Sequence, residues 1–118
     1  MSTVVVLDDD PVVRRSIALA LRREGHQVLE FEDAAPALES VDFSEVNLVV
    51  TDLRMPTLGD QLVLMLRERG VEVPVIVVSG YLDKDRTRYL KDLGVHRFIS
   101  KPFELSDLLS AVNEMLSR

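Results

Sequence analysis

Short apolar runs alternate with amphipathic stretches along the chain, and the two kinds of segment differ in periodicity. The apolar runs predict five strands, at residues 3–7, 28–31, 46–51, 75–79 and 96–100. The amphipathic stretches predict five helices, at residues 11–24, 33–41, 58–69, 83–93 and 105–116. Strands that alternate with helices across short connections form βαβ units. We therefore expect one doubly wound α/β domain with a parallel sheet, spanning residues 1–118.

Capping residues and apolar spacing refine these elements. Asp10 is an N-cap acceptor followed by Pro11 at the first helical position, and Gly25 suits the position just after that helix. We therefore interpret Asp10 as a cap. The spacing also predicts buried packing positions at Leu105, Leu108, Leu109, Val112 and Leu116 in the last helix, and at Met55 and Met65 in the middle of the chain.

The composition restricts the class of protein. At 47% hydrophobic residues the chain can bury a sizeable core, and the absence of cysteine excludes a disulfide framework, a cysteine-ligated zinc site and thiol catalysis. No apolar run approaches the roughly 18 residues of a membrane span, and acidic residues interrupt the early apolar run that a signal peptide would need. We therefore expect a cytoplasmic protein without a membrane partner. The net charge of −6 argues against direct nucleic-acid binding.

Charged and hydroxyl side chains follow the predicted strands. All of the net negative charge lies in residues 1–59, because residues 60–118 carry nine acids and nine bases. The residues at the ends of four strands are Asp8, Asp9 and Asp10, then Asp52, then Ser79, and finally Lys101. The carboxyl ends of parallel strands meet at one edge of the sheet, where ligands bind. Carboxylates placed together there repel one another unless a cation intervenes, and carboxylate oxygens suit Mg²⁺. This set predicts metal-assisted phosphoryl transfer to a carboxylate.

Several short motifs occur in a fixed order at these strand ends. They are Val6-Leu7-Asp8-Asp9, Thr51-Asp52 with Met55-Pro56, Val78-Ser79-Gly80, and Phe98 before Lys101-Pro102-Phe103. With these motifs the chain resembles, over essentially its whole length, the CheY-like receiver domains of two-component response regulators. The resemblance implies a flavodoxin-like (βα)5 fold whose parallel five-stranded sheet has the order 2-1-3-4-5.

The resemblance also implies roles at the acidic positions. Asp52 would be the phospho-acceptor. Asp9, Asp52 and the backbone carbonyl of Arg54 would bind Mg²⁺ directly, and Asp8 would act through a metal-bound water. The chain would thus be a phosphoprotein that catalyses only its own aspartyl phosphorylation and dephosphorylation, and not an enzyme with a separate substrate.

Three further positions match the receiver motifs. Ser79 would follow the phosphoryl group, and Lys101 would pair with it. Phe98 matches the switch aromatic of the family, which turns inward when Ser79 moves. The peptide bond between Lys101 and Pro102 matches one that is usually cis in the family.

The resemblance implies two kinds of partner. The phosphoryl donor would be a sensor histidine kinase or a histidine phosphotransfer protein. The output partner would bind the face formed by the fourth helix, the fifth strand and the fifth helix. The 118 residues contain no recognisable effector segment, so we expect output through another protein or another domain.

The sequence departs from the receiver pattern in two places. Many members carry Asp-Gly before the third helix, whereas this chain has Gly59-Asp60. A glycine tolerates a left-handed backbone that Asp60 adopts less readily, so the turn is expected to differ. Arg54 and Tyr81 occupy positions where rapidly dephosphorylating members place an acid or an amide. Neither residue is a carboxylate base, and we hypothesise a comparatively long-lived phospho-form.

Three other interpretations remain open from the residues alone. The Asp-x-Asp pattern beginning at Asp8 also opens haloacid-dehalogenase-like phosphohydrolases, in which Asp8 would be the nucleophile. The topology also suits a flavodoxin-like mononucleotide binder, although such sites present hydroxyls and amides to the phosphate. A receiver that is never phosphorylated is a further alternative, which the complete set of site residues disfavours.

Overall fold

The described part of the chain, residues 2–117 of a computed structural model, contains a five-stranded parallel sheet flanked by helices. The strands are β1 (Thr3–Leu7), β2 (Gln27–Phe31), β3 (Leu48–Thr51), β4 (Val75–Ser79) and β5 (Arg97–Ser100). The helices are α1 (Pro11–Arg23), α2 (Ala34–Ser40), α3 (Gly59–Glu68), α4 (Lys84–Asp92) and α5 (Leu105–Leu116). The strand order is β2-β1-β3-β4-β5. The expected doubly wound, flavodoxin-like architecture is confirmed.

The strand register brings the predicted site residues to one edge. Leu7 of β1 pairs with Thr51 of β3, so that Asp8 and Asp52 leave neighbouring strands at the same height. Ser79, the last residue of β4, pairs with Ser100 of β5, which Lys101 follows. The strand order reverses at β1, which lies between β2 and β3, and this reversal opens the ligand-binding crevice of such sheets.

The core consists of two apolar layers, one on each face of the sheet. Alternate residues of β1 point to opposite faces, with Val4 and Val6 on one side and Val5 and Leu7 on the other. Helices α1 and α5 cover the first side, and helices α2, α3 and α4 cover the second. Each fully buried Val or Leu stabilises the fold by about 1.5–3 kcal/mol relative to an exposed one. Both faces are therefore apolar, as the lack of alternation predicts.

The helix ends follow the predicted capping chemistry. The carboxylate of Asp10 accepts hydrogen bonds from the backbone N–H groups of Val12 and Val13, which confirms its role as the N-cap of α1. Gly25 follows α1 with a φ of 92°, a left-handed conformation that favours glycine. The peptide bond between Lys101 and Pro102 is cis, as the resemblance implies.

Three sequence expectations about strands and buried positions are wrong. β3 begins at Leu48 rather than at residue 46, because a 3-10 turn at Phe43–Glu45 places Val46 in the core outside the strand. Leu105 and Met65 were expected to be buried, but each is 39% exposed. Helical spacing predicts an apolar stripe and not its width, so positions at the margin of the stripe are misassigned. Met55, in contrast, is buried as predicted.

No helix within residues 2–117 has the length and apolar character needed to cross a membrane.

Candidate functional site

The residues at the carboxyl edge of the sheet lie together in a partly buried acidic pocket. Asp8 and Asp52 are 2% and 5% exposed, and Ser79 is fully buried. Asp9 is exposed at the mouth. The pocket exists because β1, β3, β4 and β5 end at the same edge, where the backbone turns outward and polar side chains take the place of the apolar strand residues.

The ammonium group of Lys101 connects the two buried carboxylates. Its Nζ lies 2.8 Å from Oδ2 of Asp8 and 2.7 Å from Oδ2 of Asp52. Burial raises the pKa of Asp8, and the hydrogen bond from Lys101 offsets only part of that rise. Burial alone would lower the pKa of Lys101, but the hydrogen bonds to Asp52 and Asp8 outweigh it, and the pKa is raised. Lys101 is therefore firmly cationic.

Three carboxylates at this edge form a group that can hold a metal ion. Asp8, Asp9 and Asp52 each offer an oxygen, and the three oxygens lie within 4.8 Å of one another. Three carboxylates against the single ammonium of Lys101 leave a net negative pocket with hard oxygen donors. Such donors suit Mg²⁺, which binds through one or two carboxylates together with waters and phosphate oxygens.

Backbone donors hold Asp52 in place. Its Oδ1 accepts the N–H of Leu53 at 2.6 Å and the N–H of Arg54 at 3.3 Å. The hydroxyl of Thr51 donates to the carbonyl oxygen of Asp52 at 2.8 Å. The side chain of Arg54 is exposed, so this residue reaches the pocket through its backbone. Both the carboxylate and the backbone of Asp52 are thus oriented before any ligand binds.

The structure requires a glycine at position 59 because of a close backbone contact, and not because of the left-handed turn considered from the sequence. It is the first residue of α3, and it is not among the described glycines with positive φ. A Cβ atom at this position would overlap the backbone carbonyl oxygen of Asp52. The reversed Gly59-Asp60 order therefore needs no left-handed turn. It allows the start of α3 to approach the backbone of Asp52.

Ser79 and Phe98 occupy neighbouring strands next to the pocket. The hydroxyl of Ser79 accepts the N–H of Tyr81 at 3.2 Å and donates to the carbonyl oxygen of Tyr81 at 3.3 Å. The hydroxyl is thus engaged by the loop before α4. Phe98 pairs with Val77 of β4 and is half-buried against the core layer beneath α3 and α4. The side chain of Tyr81 is 60% exposed.

Sequence reasoning missed two residues that support the pocket. Arg14, in α1, donates to the carbonyl oxygen of Asp8 at 2.9 Å. Asp33 caps α2, and its Oδ1 also accepts the N–H of Thr57 at 2.6 Å, in the loop that follows the site. Asp33 and Thr57 are 24 residues apart, so the folded chain alone brings them together. Arg14 is only six residues from Asp8, but its contact depends on the direction in which α1 leaves the pocket.

An apolar groove lies beside the pocket. Its walls come from the start of α1, the loop after β5 and the first turn of α5, and its lining includes Val12, Val13, Pro102, Phe103 and Leu105. Val12 is 74% exposed and Leu105 is 39% exposed. Lys101 also lines the groove, so the groove adjoins the acidic pocket.

Comparison with known proteins gives a consistent result. The family model described as the response regulator receiver domain matches residues 4–113. The chain is 35% identical over 116 residues to the transcriptional regulatory protein FixJ of Azorhizobium caulinodans, with 98% of this chain and 55% of FixJ aligned. It is 37% identical over 117 residues to the transcriptional regulatory protein TdiR of Thauera aromatica, with 98% of this chain and 52% of TdiR aligned. The chain thus spans about half the length of these curated relatives.

The fold has close structural counterparts. The non-phosphorylated HemR receiver domain from Leptospira biflexa superposes with a TM-score of 0.94 at 22% identity, covering 100% of this chain and 96% of that domain. At this level of identity the likeness concerns the fold alone.

Proposed function

The chain belongs to the response regulator receiver domain family, and on that basis we propose that it is a signalling switch in which Asp52 accepts the phosphoryl group. The observation that carries this assignment is the pocket around Asp52. A buried carboxylate, oriented by two backbone N–H groups and bridged by Lys101, lies within reach of two further carboxylates. We assign the receiver function to residues 1–118 as one domain.

We propose that the donor is the phosphohistidine of a sensor histidine kinase or of a histidine phosphotransfer protein. A bond forms between phosphorus and a carboxylate oxygen of Asp52 while the bond from phosphorus to the imidazole nitrogen breaks. The leaving nitrogen keeps the electron pair of that bond. Lys101 is placed to neutralise a phosphoryl oxygen, because its Nζ already lies 2.7 Å from the carboxylate. The chain catalyses only its own aspartyl phosphorylation and dephosphorylation.

The acidic side chains would hold Mg²⁺, which receiver domains bind in such a pocket. Asp9, Asp52 and the carbonyl oxygen of Arg54 are the proposed direct ligands, and Asp8 would act through a bound water. When bound, Mg²⁺ supplies positive charge to the carboxylates and to the incoming phosphoryl oxygens. Asp8 also contacts Lys101 at 2.8 Å, so it would orient the ammonium group as well as the metal-bound water.

The proposed switch depends on the hydroxyl of Ser79. That hydroxyl donates to the carbonyl oxygen of Tyr81, so it has to leave this acceptor before it can donate to a phosphoryl group on Asp52. Its departure would release the loop before α4 and make room for Phe98 to turn inward. The α4-β5-α5 face, which adjoins both residues, is the proposed binding surface for the output protein.

The proposed donor surface is the apolar groove beside the pocket. A donor must bring its phosphohistidine to the open edge of the sheet, and the exposed Val12 and Leu105 adjoin that edge. Apolar side chains at this place would give a partner contact area without adding charge to the pocket. A histidine kinase transfers phosphate inside the cell, so we place the chain in the cytoplasm.

The test is phosphorylation by acetyl phosphate, with and without Mg²⁺. The wild-type chain should gain the mass of one phosphoryl group in Mg²⁺ and little in EDTA, and Asp52→Asn should gain none. Asp10→Asn is the matched control, because it removes the same charge from the acidic run while asparagine preserves the cap. It should be phosphorylated like the wild type.

Two outcomes would contradict the assignment. Phosphorylation of Asp52→Asn at the wild-type rate would show that a residue other than Asp52 accepts the phosphoryl group. Hydrolysis of small phosphate esters that survives Asp52→Asn and is lost in Asp8→Asn would instead support the phosphohydrolase alternative.

A further inference from the structure

The guanidinium group of Arg14 contacts the backbone of the acidic pocket. Arg14 lies in the first turns of α1, and its Nη1 donates to the carbonyl oxygen of Asp8 at 2.9 Å. That oxygen belongs to the peptide unit that joins Asp8 to Asp9. The side chain of Arg14 is only 15% exposed, so this hydrogen bond is largely shielded from water. Arg14 is therefore in direct contact with the peptide group that carries the two leading carboxylates.

Strand β2 also holds the guanidinium group of Arg14, through Glu30. The Nε atom of Arg14 lies 3.5 Å from Oε1 of Glu30 in β2, and Oε2 of Glu30 accepts from Nη1 of Arg22 at 2.8 Å. Arg22 also donates to the carbonyl oxygen of Val28, so Glu30 is held between two arginines of α1. The position of Arg14 thus depends on β2 as well as on α1.

The backbone at Asp8 needs such a partner because the strand ladder ends there. The N–H of Asp8 still donates to the carbonyl oxygen of Phe31, the last residue of β2, at 3.2 Å. The carbonyl oxygen of Asp8 turns out of the ladder and receives the guanidinium of Arg14. Oδ1 of Asp8 accepts the N–H of Asp10 at 2.9 Å. These bonds together determine the orientation of the peptide that leads into Asp9.

We propose that Arg14 is a positioning residue for the Mg²⁺ ligands: through the carbonyl oxygen of Asp8 it holds the Asp8–Asp9 peptide so that both carboxylates face Asp52. The proposal rests on the function proposed above. The guanidinium suits this role because its planar set of donors meets a carbonyl oxygen and a carboxylate at once, which an ammonium group does in a less defined geometry.

The charge of Arg14 and its positioning role predict opposite effects of its removal. A cation near the pocket repels Mg²⁺, so a residue that acted only through its charge would weaken Mg²⁺ binding, and its loss would strengthen it. A residue that orients the ligands strengthens binding, and its loss would weaken it. Partners that orient metal ligands typically change metal affinity by about 10-fold to 100-fold.

The experiment measures the dissociation constant of Mg²⁺ for the unphosphorylated chain by isothermal titration calorimetry. Arg14→Gln should raise that constant by about 10-fold. Arg15→Gln is the matched control, because it removes the same charge from the next, exposed position of α1. It should bind Mg²⁺ as tightly as the wild type or slightly more tightly. Thermal unfolding in EDTA establishes that each variant is folded.

The outcomes separate the inference from the proposed function. Mg²⁺ affinity of Arg14→Gln equal to or above that of the wild type would overturn the inference. If Arg14→Gln does not fold, Arg14→Lys takes its place: weakened binding supports positioning, and wild-type affinity overturns it. A wild-type chain that binds no Mg²⁺ would instead overturn the proposed function, and the inference with it.

Discussion

At the scale of single residues, the charge balance of the pocket depends on Lys101. Two buried carboxylates, Asp8 after β1 and Asp52 after β3, share this one ammonium group at 2.8 and 2.7 Å. The raised pKa of Asp8, caused mainly by burial, indicates that its charged form is already poorly solvated. Without Lys101, the pocket would hold two carboxylates close together, with little water and no cation bonded to either of them.

We therefore expect Lys101→Met to lower the free energy of unfolding by about 2–3 kcal/mol in EDTA. This loss is smaller than the loss on breaking a fully buried ion pair, because the side chain of Lys101 is 23% exposed. Mg²⁺ should restore part of this loss, since a dication neutralises the same carboxylates. Urea unfolding with and without Mg²⁺ measures both effects. Lys91→Met, at an exposed position of α4, is the control and should change little.

The lifetime of the phospho-form is a second prediction at this scale. Arg54 and Tyr81 lie two residues beyond Asp52 and Ser79, and neither side chain is a carboxylate that activates water. Replacing Arg54 with Asn and Tyr81 with Glu should accelerate phosphate loss by up to about 100-fold, as a positioned general base does. The decay of phosphorylated protein after removal of acetyl phosphate measures this rate. An unchanged rate in the double variant would contradict the hypothesis.

At the scale of elements, the approach of α3 to the backbone of Asp52 depends on Gly59. Because a Cβ at this position overlaps the carbonyl oxygen of Asp52, Gly59→Ala must displace the start of α3. We expect it to lower the free energy of unfolding by about 1–3 kcal/mol. Gly80→Ala is the control, because its Cβ would lie 3.9 Å from Cβ of Lys101, an ordinary contact. Equal urea midpoints for the two variants would contradict this account.

Asp33 joins two elements, because one carboxylate caps α2 and also accepts the N–H of Thr57. Burial alone would raise the pKa of Asp33, but the hydrogen bonds from Thr57 and from the start of α2 outweigh it, and the pKa is lowered. The ionised form therefore stabilises the folded chain above the unfolded pKa of about 3.9, and this contribution is lost as the pH falls through the folded pKa.

Asp33→Ala should accordingly lower the free energy of unfolding by about 1–2 kcal/mol at pH 7. The difference from the wild type should shrink as the pH falls below about 3.9, where the carboxyl group becomes protonated. Urea unfolding across this pH range measures the difference. Asp42→Ala is the control, because it removes a cap without a bond to the loop after the site, and it should lower the free energy of unfolding by less than Asp33→Ala.

At the scale of the whole molecule, the concentration of acidic residues at one edge makes stability depend on cations. All of the net charge of −6 lies in residues 1–59, which include Asp8, Asp9 and Asp52. A ligand that binds only the folded chain stabilises it by about 2.7 kcal/mol when present at about 100 times its dissociation constant. We expect Mg²⁺ to raise the Tm and EDTA to reverse the increase. Asp9→Asn should show a smaller Mg²⁺-induced rise in Tm than the wild type. A rise equal to that of the wild type would contradict the proposed ligand set.

The sequence by itself determined the alternation of strands and helices, the cap at Asp10, and which side chains follow each strand. These features are local, since they depend on periodicity and on residues next to one another in the chain. Because the carboxyl ends of parallel strands meet at one edge of a sheet, these features also predicted that Asp8, Asp52 and Lys101 lie at the same edge.

Only the tertiary structure decided which elements approach one another and which side chains they cover. The guanidinium of Arg14 on the Asp8 carbonyl, the close approach of Gly59 to Asp52 and the exposure of Leu105 each depend on how whole elements pack. Packing is set by the combined shape of many side chains, so no single position in the chain encodes it. Tyr81 is only two residues from Ser79, but the partner of the Ser79 hydroxyl depends on the conformation of the loop before α4, which only the folded chain shows.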